Sequence, residues 1–361
     1  MKILAVGGTF DEFGGKHSGY MSKLFSHFLA SDVFELNVYN GGYWNTISSL
    51  VGRLTKDLAN HYDIIFWFAN IPNNFNKLVL LIKKYNKKCI LVTSKNNLDN
   101  RCDLSQLIQK ILKSKSNLVL EFVKPNMEKH FVTNIIDPLG NIWLSKEEDI
   151  HVVADVLKQR IKKLRTYTRV GSKSIGDAIP VPNINTFFDV IKRYAEVFHE
   201  LIHGANSERL LGNASFRCCR GFPSFRTDNR IFVSRRNIDK RYIGSDGFVA
   251  VKFPLEKHVE YYGDMKPSVD TPVQLKLYEY FENVNFILHS HVYVDGAIFT
   301  DEVIPCGAME EVDEITKLFD RKCYYVAVNL RGHGSLILAE TEDCFENIPY
   351  IERKVLETQD V

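Results

Sequence analysis

Val284-Asn285-Phe286-Ile287-Leu288-His289-Ser290-His291 is an apolar run closed by two histidines one residue apart. In a β-strand residues i and i+2 project from the same face, so a strand here presents both imidazoles to one point while its apolar residues stay buried. The pattern taken alone also describes two satisfied structural histidines. Its sequence neighbours bear on the choice: Lys266-Pro267-Ser268-Val269-Asp270-Thr271-Pro272 stands upstream, and Arg331-Gly332-His333-Gly334 lies downstream, with His333 42 residues past His291.

Composition narrows the classes open to the chain. Its 361 residues are too many for one average domain and suit two, each able to bury its own core. With 45% hydrophobic and 25% charged residues the composition is that of a globular protein, and no apolar run is long enough to span a bilayer. Met1-Lys2 leads straight into the buried-strand pattern Ile3-Leu4-Ala5-Val6, without the charged and apolar segments of a secretory leader, which predicts a cytoplasmic protein. Seven scattered cysteines without C-x-x-C spacing predict neither a disulfide framework nor a structural zinc knuckle, and Cys218-Cys219 reads as two reduced thiols. A formal charge of +2 gives no general attraction to polyanions, and the basic stretch from Lys158 to Arg165 reads as the solvated face of a helix. Neither a nucleic-acid partner nor a membrane is expected.

Up to about residue 168, apolar strands alternate with amphipathic stretches. Strands are expected at Lys2–Val6, Phe34–Tyr39, Asp63–Ala69, Lys88–Thr93 and Phe131–Ile136, and helices near Gly19–Ala30, Ile47–Asn60, Phe75–Lys84, Leu104–Lys113 and Asp149–Arg165. The alternation predicts an α/β domain over residues 1–169, a parallel sheet with crossover helices of Rossmann or flavodoxin type. Residues 170–185, rich in Gly, Ser and Pro, predict a linker. The second domain, 186–361, is expected to hold helices near Phe187–His203, Val273–Phe281 and Glu310–Phe319, the H-x-H strand, and strands around Tyr324–Asn329 and Leu336–Ala339.

After the first strand, Gly7-Gly8-Thr9-Phe10-Asp11 and Gly14-Gly15-Lys16-His17-Ser18-Gly19-Tyr20 form a glycine-rich loop entering a helix, the place where α/β sheets bind phosphates or nucleotides. Gly7, Gly8, Thr9, Gly14, Gly15 and Ser18 are the candidate contacts of a nucleotide or sugar phosphate. The spelling is neither G-x-G-x-x-G nor G-x-x-x-x-G-K-S. Its opening is similar to that of cytidylyltransferase-like nucleotidyltransferases, which continue to His-x-Gly-His where this chain has a longer spacing and Tyr20 in place of the second histidine.

Leu211-Gly212-Asn213-Ala214-Ser215-Phe216-Arg217, the Lys266–Pro272 run, His289-Ser290-His291 and Arg331-Gly332-His333-Gly334 resemble, in content and order, the motifs of the class II aldolase/adducin family. That family includes fuculose-phosphate and rhamnulose-phosphate aldolases, ribulose-phosphate 4-epimerases and methylthioribulose-phosphate dehydratases. The resemblance covers roughly the last 45% of the chain and implies an α/β/α domain there. Three neutral imidazoles with an open position suit a catalytic divalent cation, zinc first. The resemblance implies His289, His291 and His333 as its ligands. Asp270 stands where the aldolases resemble one another in an acid/base glutamate, but Pro-Ser-x-Asp-Thr-Pro is the epimerase spelling, in which the aspartate joins the metal shell. An Asp before Thr-Pro can also simply cap the following helix.

For the substrate phosphate the resemblance implies Gly212, Asn213, Ser215 and Ser268. A third element departs from the family: Val233-Ser234-Arg235-Arg236-Asn237-Ile238 replaces Thr-Pro-Ser-Gly, leaving Ser234 equivalent and Arg235 and Arg236 as candidate contacts for a phosphate or carboxylate. Tyr293 is the candidate acid/base group beside Asp270, with Tyr350 and Glu310 as other possible donors. The chemistry implied is stabilisation of an enediolate by a cation that chelates the carbonyl and adjacent hydroxyl of a ketose phosphate. The expected function is a metal-dependent aldolase or epimerase acting on a phosphorylated sugar, in a homo-oligomer that the resemblance makes a tetramer. The alternatives are a non-catalytic adducin-like binding module, and a dehydratase or bifunctional enzyme of sugar or nucleotide-sugar metabolism.

Overall fold

The computed structural model describes residues 1–6, 24, 27, 35–39, 62–68, 79–80, 82–83, 86, 88–97, 104–123, 132–201, 212–217 and 230–353. They fall into two units, one up to Thr166 and one from Tyr167 to Arg353. The first unit contains β1 (Lys2–Val6), β2 (Glu35–Tyr39), β3 (Ile64–Trp67), β4 (Ile90–Asn97), β5 (Leu118–Val123), β6 (Val132–Ile136) and β7 (Ile142–Glu147) in one sheet, in the order β2-β1-β3-β4-β5-β6-β7. β1 to β5 pair in parallel, and β6 and β7 add in antiparallel fashion. All four residues of β3 are buried, the pattern of a strand covered on both faces. The order 2-1-3-4-5 is the flavodoxin-like one among doubly wound sheets.

The sheet is therefore parallel only in part, and it has seven strands where sequence pattern predicts five. β5 is a wholly buried run that follows closely on the helix Leu104–Ser114, so no alternation marks it off. β6 and β7 are joined by a tight turn. Asp137 accepts hydrogen bonds from the Leu139 and Asn141 amides at 2.8 and 3.1 Å and from Asn141 Nδ2 at 2.9 Å. Such a side-chain-closed turn permits an antiparallel hairpin, whereas a parallel pair needs a crossover of a dozen or more residues. The helices Leu104–Ser114 and Ile150–Thr166 stand where expected. The other three expected helices lie outside the described residues apart from single positions, and Gly7, Gly8, Thr9, Gly14, Gly15 and Ser18 lie wholly outside them.

The second unit holds β8 (Ser172–Gly176), β9 (Asn213–Arg217), β10 (Arg230–Ser234), β11 (Phe248–Lys252), β12 (Val259–Tyr262), β13 (Phe286–Ser290), β14 (Tyr293–Val294), β15 (Ile298–Phe299), β16 (Tyr325–Leu330), β17 (Gly334–Ala339) and β18 (Tyr350–Ile351). Nine of them form a sheet in the order β15-β16-β17-β13-β9-β10-β11-β12-β8, and β14 pairs with β18. Residues 170–185 differ from the linker expected: Ser172–Gly176 is an edge strand paired in parallel with β12. The exposed side chains of Ser172, Lys173 and Ser174 read as loop because the strand is held by backbone pairing at the sheet edge, helped by Ser174 Oγ donating to the Gly263 carbonyl at 2.9 Å.

Helices cover both faces of this sheet. The helix Asn185–Leu201 packs Phe187 and Phe188 against Phe216, Phe232, Phe248 and Phe286 on one face. The helix Thr271–Tyr280 and the short helix Glu310–Thr316 cover Ile231, Val249, Ile287 and Leu338 on the other. Phe187 and Phe286 rings are 4.7 Å apart, and Phe286→Ala would cost about 3–5 kcal/mol by emptying that contact. Strand alternation decides where the histidines go. Phe286 and Leu288 face the long helix, so Ile287 and His289 face the other side.

Candidate metal centre

β13 lies between β9 and β17, antiparallel to both, so its C-terminal end meets the beginnings of both neighbours. The register sets His289 beside Asn213 of β9 and Leu336 of β17, and Ser290 beside Ser335. His333, in the turn just before β17, is thereby carried back to the H-x-H segment. One potential ligand atom from each of His289, His291 and His333 lies within 4.8 Å of the others, and all three residues are buried. Their ring centroids are 4.7 to 5.1 Å apart.

Each ring is set by its partners. His289 Nδ1 lies 2.9 Å from the Ser335 carbonyl, which can only accept, so Nδ1 carries the proton and Nε2 keeps its lone pair. That Nε2 is buried and has no partner. Burial, followed by the charge of His333, pushes the His289 imidazole down to about 4, which keeps it neutral. His333 Nδ1 is 2.7 Å from Oε1 of Glu311, itself buried, while His333 Nε2 is 3.0 Å from Cys306 Sγ. Burial alone would lower the His333 imidazole, but Cys306 and Glu311 outweigh it and hold its proton affinity well above the ordinary histidine value. A carboxylate on the far nitrogen of a histidine fixes ring orientation and raises ligand basicity. An orphaned buried nitrogen, two further imidazoles and a carboxylate behind one of them form a donor set that fits a divalent cation.

Asp270 precedes the helix Thr271–Tyr280 but makes no side-chain cap. Its Oδ2 accepts from Asn213 Nδ2 at 2.7 Å, and its Oδ1 is buried and unpartnered. Asp270 therefore has a free oxygen and lines a cavity that His291 also lines, although it lies outside the set of three converging ligands. That cavity, about 230 Å³, is lined by Gly212, Asn213, Arg235, Arg236, Asn237, Lys240, Ser268, Val269, Asp270, His291 and Cys306.

Of the residues expected to hold phosphate, Gly212, Asn213, Arg235, Arg236 and Ser268 line this cavity, and Ser215 and Ser234 do not. Ser215 is fully buried with Oγ 3.1 Å from the Tyr278 hydroxyl, and Ser234 Oγ accepts from the Ala214 amide at 3.1 Å. Both side chains tie the sheet to its surroundings because strand alternation turns them into the protein. Asn213 is committed as well, donating to Asp270 and accepting from Gln274 Nε2. Gly212 has φ +92°, and a Cβ there would lie 2.5 Å from the His289 carbonyl oxygen, so close approach of β13 requires glycine. Tyr293 accepts from the Gly332 amide at 3.0 Å and stacks edge-on against Phe299, which makes it a brace for the His333 turn. Glu310 accepts from the Thr168 amide, and Tyr350 packs against Tyr194 and Phe198.

Sequence reading missed Glu311, Cys306 and Lys240. Glu311 carried a faint signal, a carboxylate four residues before the buried Ile315 on the inward side of its helix. Lys240 sits between Asp239 and Arg241, which pair with each other at 2.7 Å and leave the lysine turned inward. Its Nζ is buried, its one hydrogen bond reaches the Ile238 carbonyl at 3.4 Å, and burial pushes it down to about 8.

The family described as Class II Aldolase and Adducin N-terminal domain matches residues 192–355. No curated protein matches the chain. Among solved structures, an L-fuculose 1-phosphate aldolase is 17% identical over 44% of this chain and 80% of its own, with a TM-score of 0.32. The DNA/pantothenate metabolism flavoprotein from Streptococcus pneumoniae is 13% identical over 45% of this chain and 98% of its own, with a TM-score of 0.33. YgbL from Klebsiella pneumoniae is 12% identical over 44% and 83%, with a TM-score of 0.30. Among the described residues no helix is long and apolar enough to cross a membrane. Residues 192–355, the stretch that the class II aldolase and adducin family matches, carry the three histidines, Asp270 and the cavity.

Proposed function

We propose that the second unit is a divalent-metal-dependent aldolase or epimerase acting on a phosphorylated sugar. The observation that carries this is the buried, unpartnered Nε2 of His289 within 4.8 Å of ligand atoms from His291 and His333. A desolvated nitrogen without a partner is costly unless a ligand completes it. His289, His291 and His333 would hold the cation, with Asp270 as a further oxygen donor or as the acid/base group. When bound, such a cation supplies a Lewis acid, zinc first by its liking for imidazole, that opposes negative charge developing on two vicinal substrate oxygens.

The chain's own groups divide the remaining work. Asn213 and Ser268 orient the Asp270 carboxylate, whose free Oδ1 can take or return a proton at the substrate carbon. Arg235, Arg236 and Lys240 give the cavity a cationic wall suited to a phosphate, at the place where the family's usual loop is replaced. Tyr293 holds the turn that carries His333. A tetramer and a nucleotide or sugar-phosphate ligand at the carboxyl end of β1, where the flavodoxin-like order reverses, complete the proposal.

The test is divalent-metal stoichiometry of the purified full-length protein, followed by a screen of ketose phosphates for aldehyde release and for epimers. Near-stoichiometric metal with either product supports the proposal. A protein that neither carries divalent metal nor takes up added zinc overturns it. Stoichiometric metal without turnover of any ketose phosphate would point to dehydration or to an unphosphorylated substrate.

A further inference from the structure

Cys306 belongs to the segment between β15 and the helix Glu310–Thr316, and that segment is clamped onto the site. The Arg169 guanidinium donates to the Cys306 carbonyl, and Ala308 forms a β-bridge with Arg169. Gly307 has φ +70°, and a Cβ there would lie 2.7 Å from the carbonyl oxygen of Val269, the residue before Asp270. The backbone that follows Cys306 is thus fixed, Gly307 against the Asp270 loop and Ala308 against Arg169.

The thiol touches one of the three imidazoles and lies outside the set in which all three converge. Cys306 Sγ is 3.0 Å from Nε2 of His333, the ring nitrogen left for a ligand once Glu311 has taken Nδ1. Two buried polar atoms of the site have no hydrogen-bond partner. His289, 1% exposed, has an orphaned Nε2, and Asp270, 6% exposed, has an orphaned Oδ1. A cation on the three imidazoles would satisfy the His289 orphan, and a sulfur already in contact with the third imidazole is a donor of the kind zinc accepts together with histidine.

The geometry points to Cys306 as a thiolate ligand of the cation held by His289, His291 and His333, making the centre one of three nitrogens and one sulfur. This rests on the metal-dependent reading above. On binding, the Cys306 S–H bond breaks and a sulfur–metal bond forms, one water leaves the hydrated cation, and the proton passes to solvent without transfer of electrons. A thiolate in the set favours zinc, cobalt and cadmium over magnesium and manganese.

The test uses the full-length protein loaded with Co²⁺ alone. Visible ligand-field bands report cobalt in the histidine site, and a near-ultraviolet sulfur-to-cobalt charge-transfer band reports the thiolate. Both are expected in the wild type, and Cys306→Ser should lose the charge-transfer band while keeping the ligand-field bands. Ligand-field bands without charge transfer in the wild type overturn the assignment of Cys306 and leave the histidine site standing. A charge-transfer band that survives Cys306→Ser belongs to another cysteine and also overturns it. Failure to take up cobalt removes the metal reading and this inference together. Should Cys306→Ser not fold, iodoacetamide labelling of the wild type decides, with Cys323 and Cys344 as internal references. Zinc should suppress labelling of Cys306 alone, and equal labelling with and without zinc overturns the inference.

Discussion

At the imidazole end of the site, His289 and His333 each give Nδ1 to a protein acceptor, at 2.9 and 2.7 Å. At the cationic end, Lys240 Nζ reaches only the Ile238 carbonyl at 3.4 Å, and Arg235 Nε is buried with no partner. The first end is held by sheet register: β9, β13 and β17 pair residue by residue, so the histidines are oriented whether or not a ligand is present. The second end hangs on the turn between β10 and β11, where Lys240 is buried with a backbone carbonyl as its hydrogen-bond partner. The difference teaches that the metal end should be sensitive to the loss of single side chains and the anion end to charge and pH.

The largest effect is expected from His289→Ala, which removes the one nitrogen that the protein leaves orphaned. Zinc affinity should fall by roughly a hundredfold or more, since even partners behind a ligand are worth 10–100-fold. Chelator competition measures it, and wild-type affinity in the variant would break the assignment of this end as a metal centre. Glu311→Gln sharpens the same point. It keeps an acceptor for His333 Nδ1–H but removes the charge, so affinity should fall roughly 10–100-fold while the melting temperature of the metal-free protein changes little.

How much of this could be read from the chain follows the same division. The H-x-H pair was legible from strand period, and His333 and Asp270 from motifs that resemble the family's. The flavodoxin-like sheet was legible in kind, but β5 and β7 were not, because an unbroken buried run and a hairpin edge carry no alternation of their own. Glu311, Cys306 and Lys240 were illegible for a different reason. Their placement is conferred by other segments, the Asp270 loop against Gly307 beside Cys306 and the Asp239–Arg241 pair around Lys240, and composition says nothing of it. Ser215 and Ser234 erred the other way: the family motif marks their positions, while strand alternation turns their hydroxyls into the protein.

The cationic end is tested with inorganic sulfate, which keeps its charge across the working range. Lys240 is cationic below about 8 and neutral above it, so sulfate affinity should fall as pH rises through that value. Lys240→Met should weaken sulfate binding by about tenfold, the worth of one charge-assisted hydrogen bond, and should flatten the pH dependence. Calorimetric titration reads both, and a variant with the wild-type pH profile would move the anion away from Lys240.

Ser215→Ala should have the smallest effect and divides the motif reading from the structural one. If Ser215 held the substrate's phosphate, its loss would weaken sulfate binding as Lys240→Met does. In the fold its Oγ contacts only the Tyr278 hydroxyl, and that hydroxyl also donates to the Asn285 carbonyl at 3.4 Å, so Tyr278 is not left unsatisfied. The cost should then be confined to stability, about 1 kcal/mol for one buried neutral hydrogen bond, read from denaturant unfolding. Sulfate affinity should stay at the wild-type value, because β9 sends Ser215 to the helix Thr271–Tyr280 and leaves the cavity wall to the turn after β10.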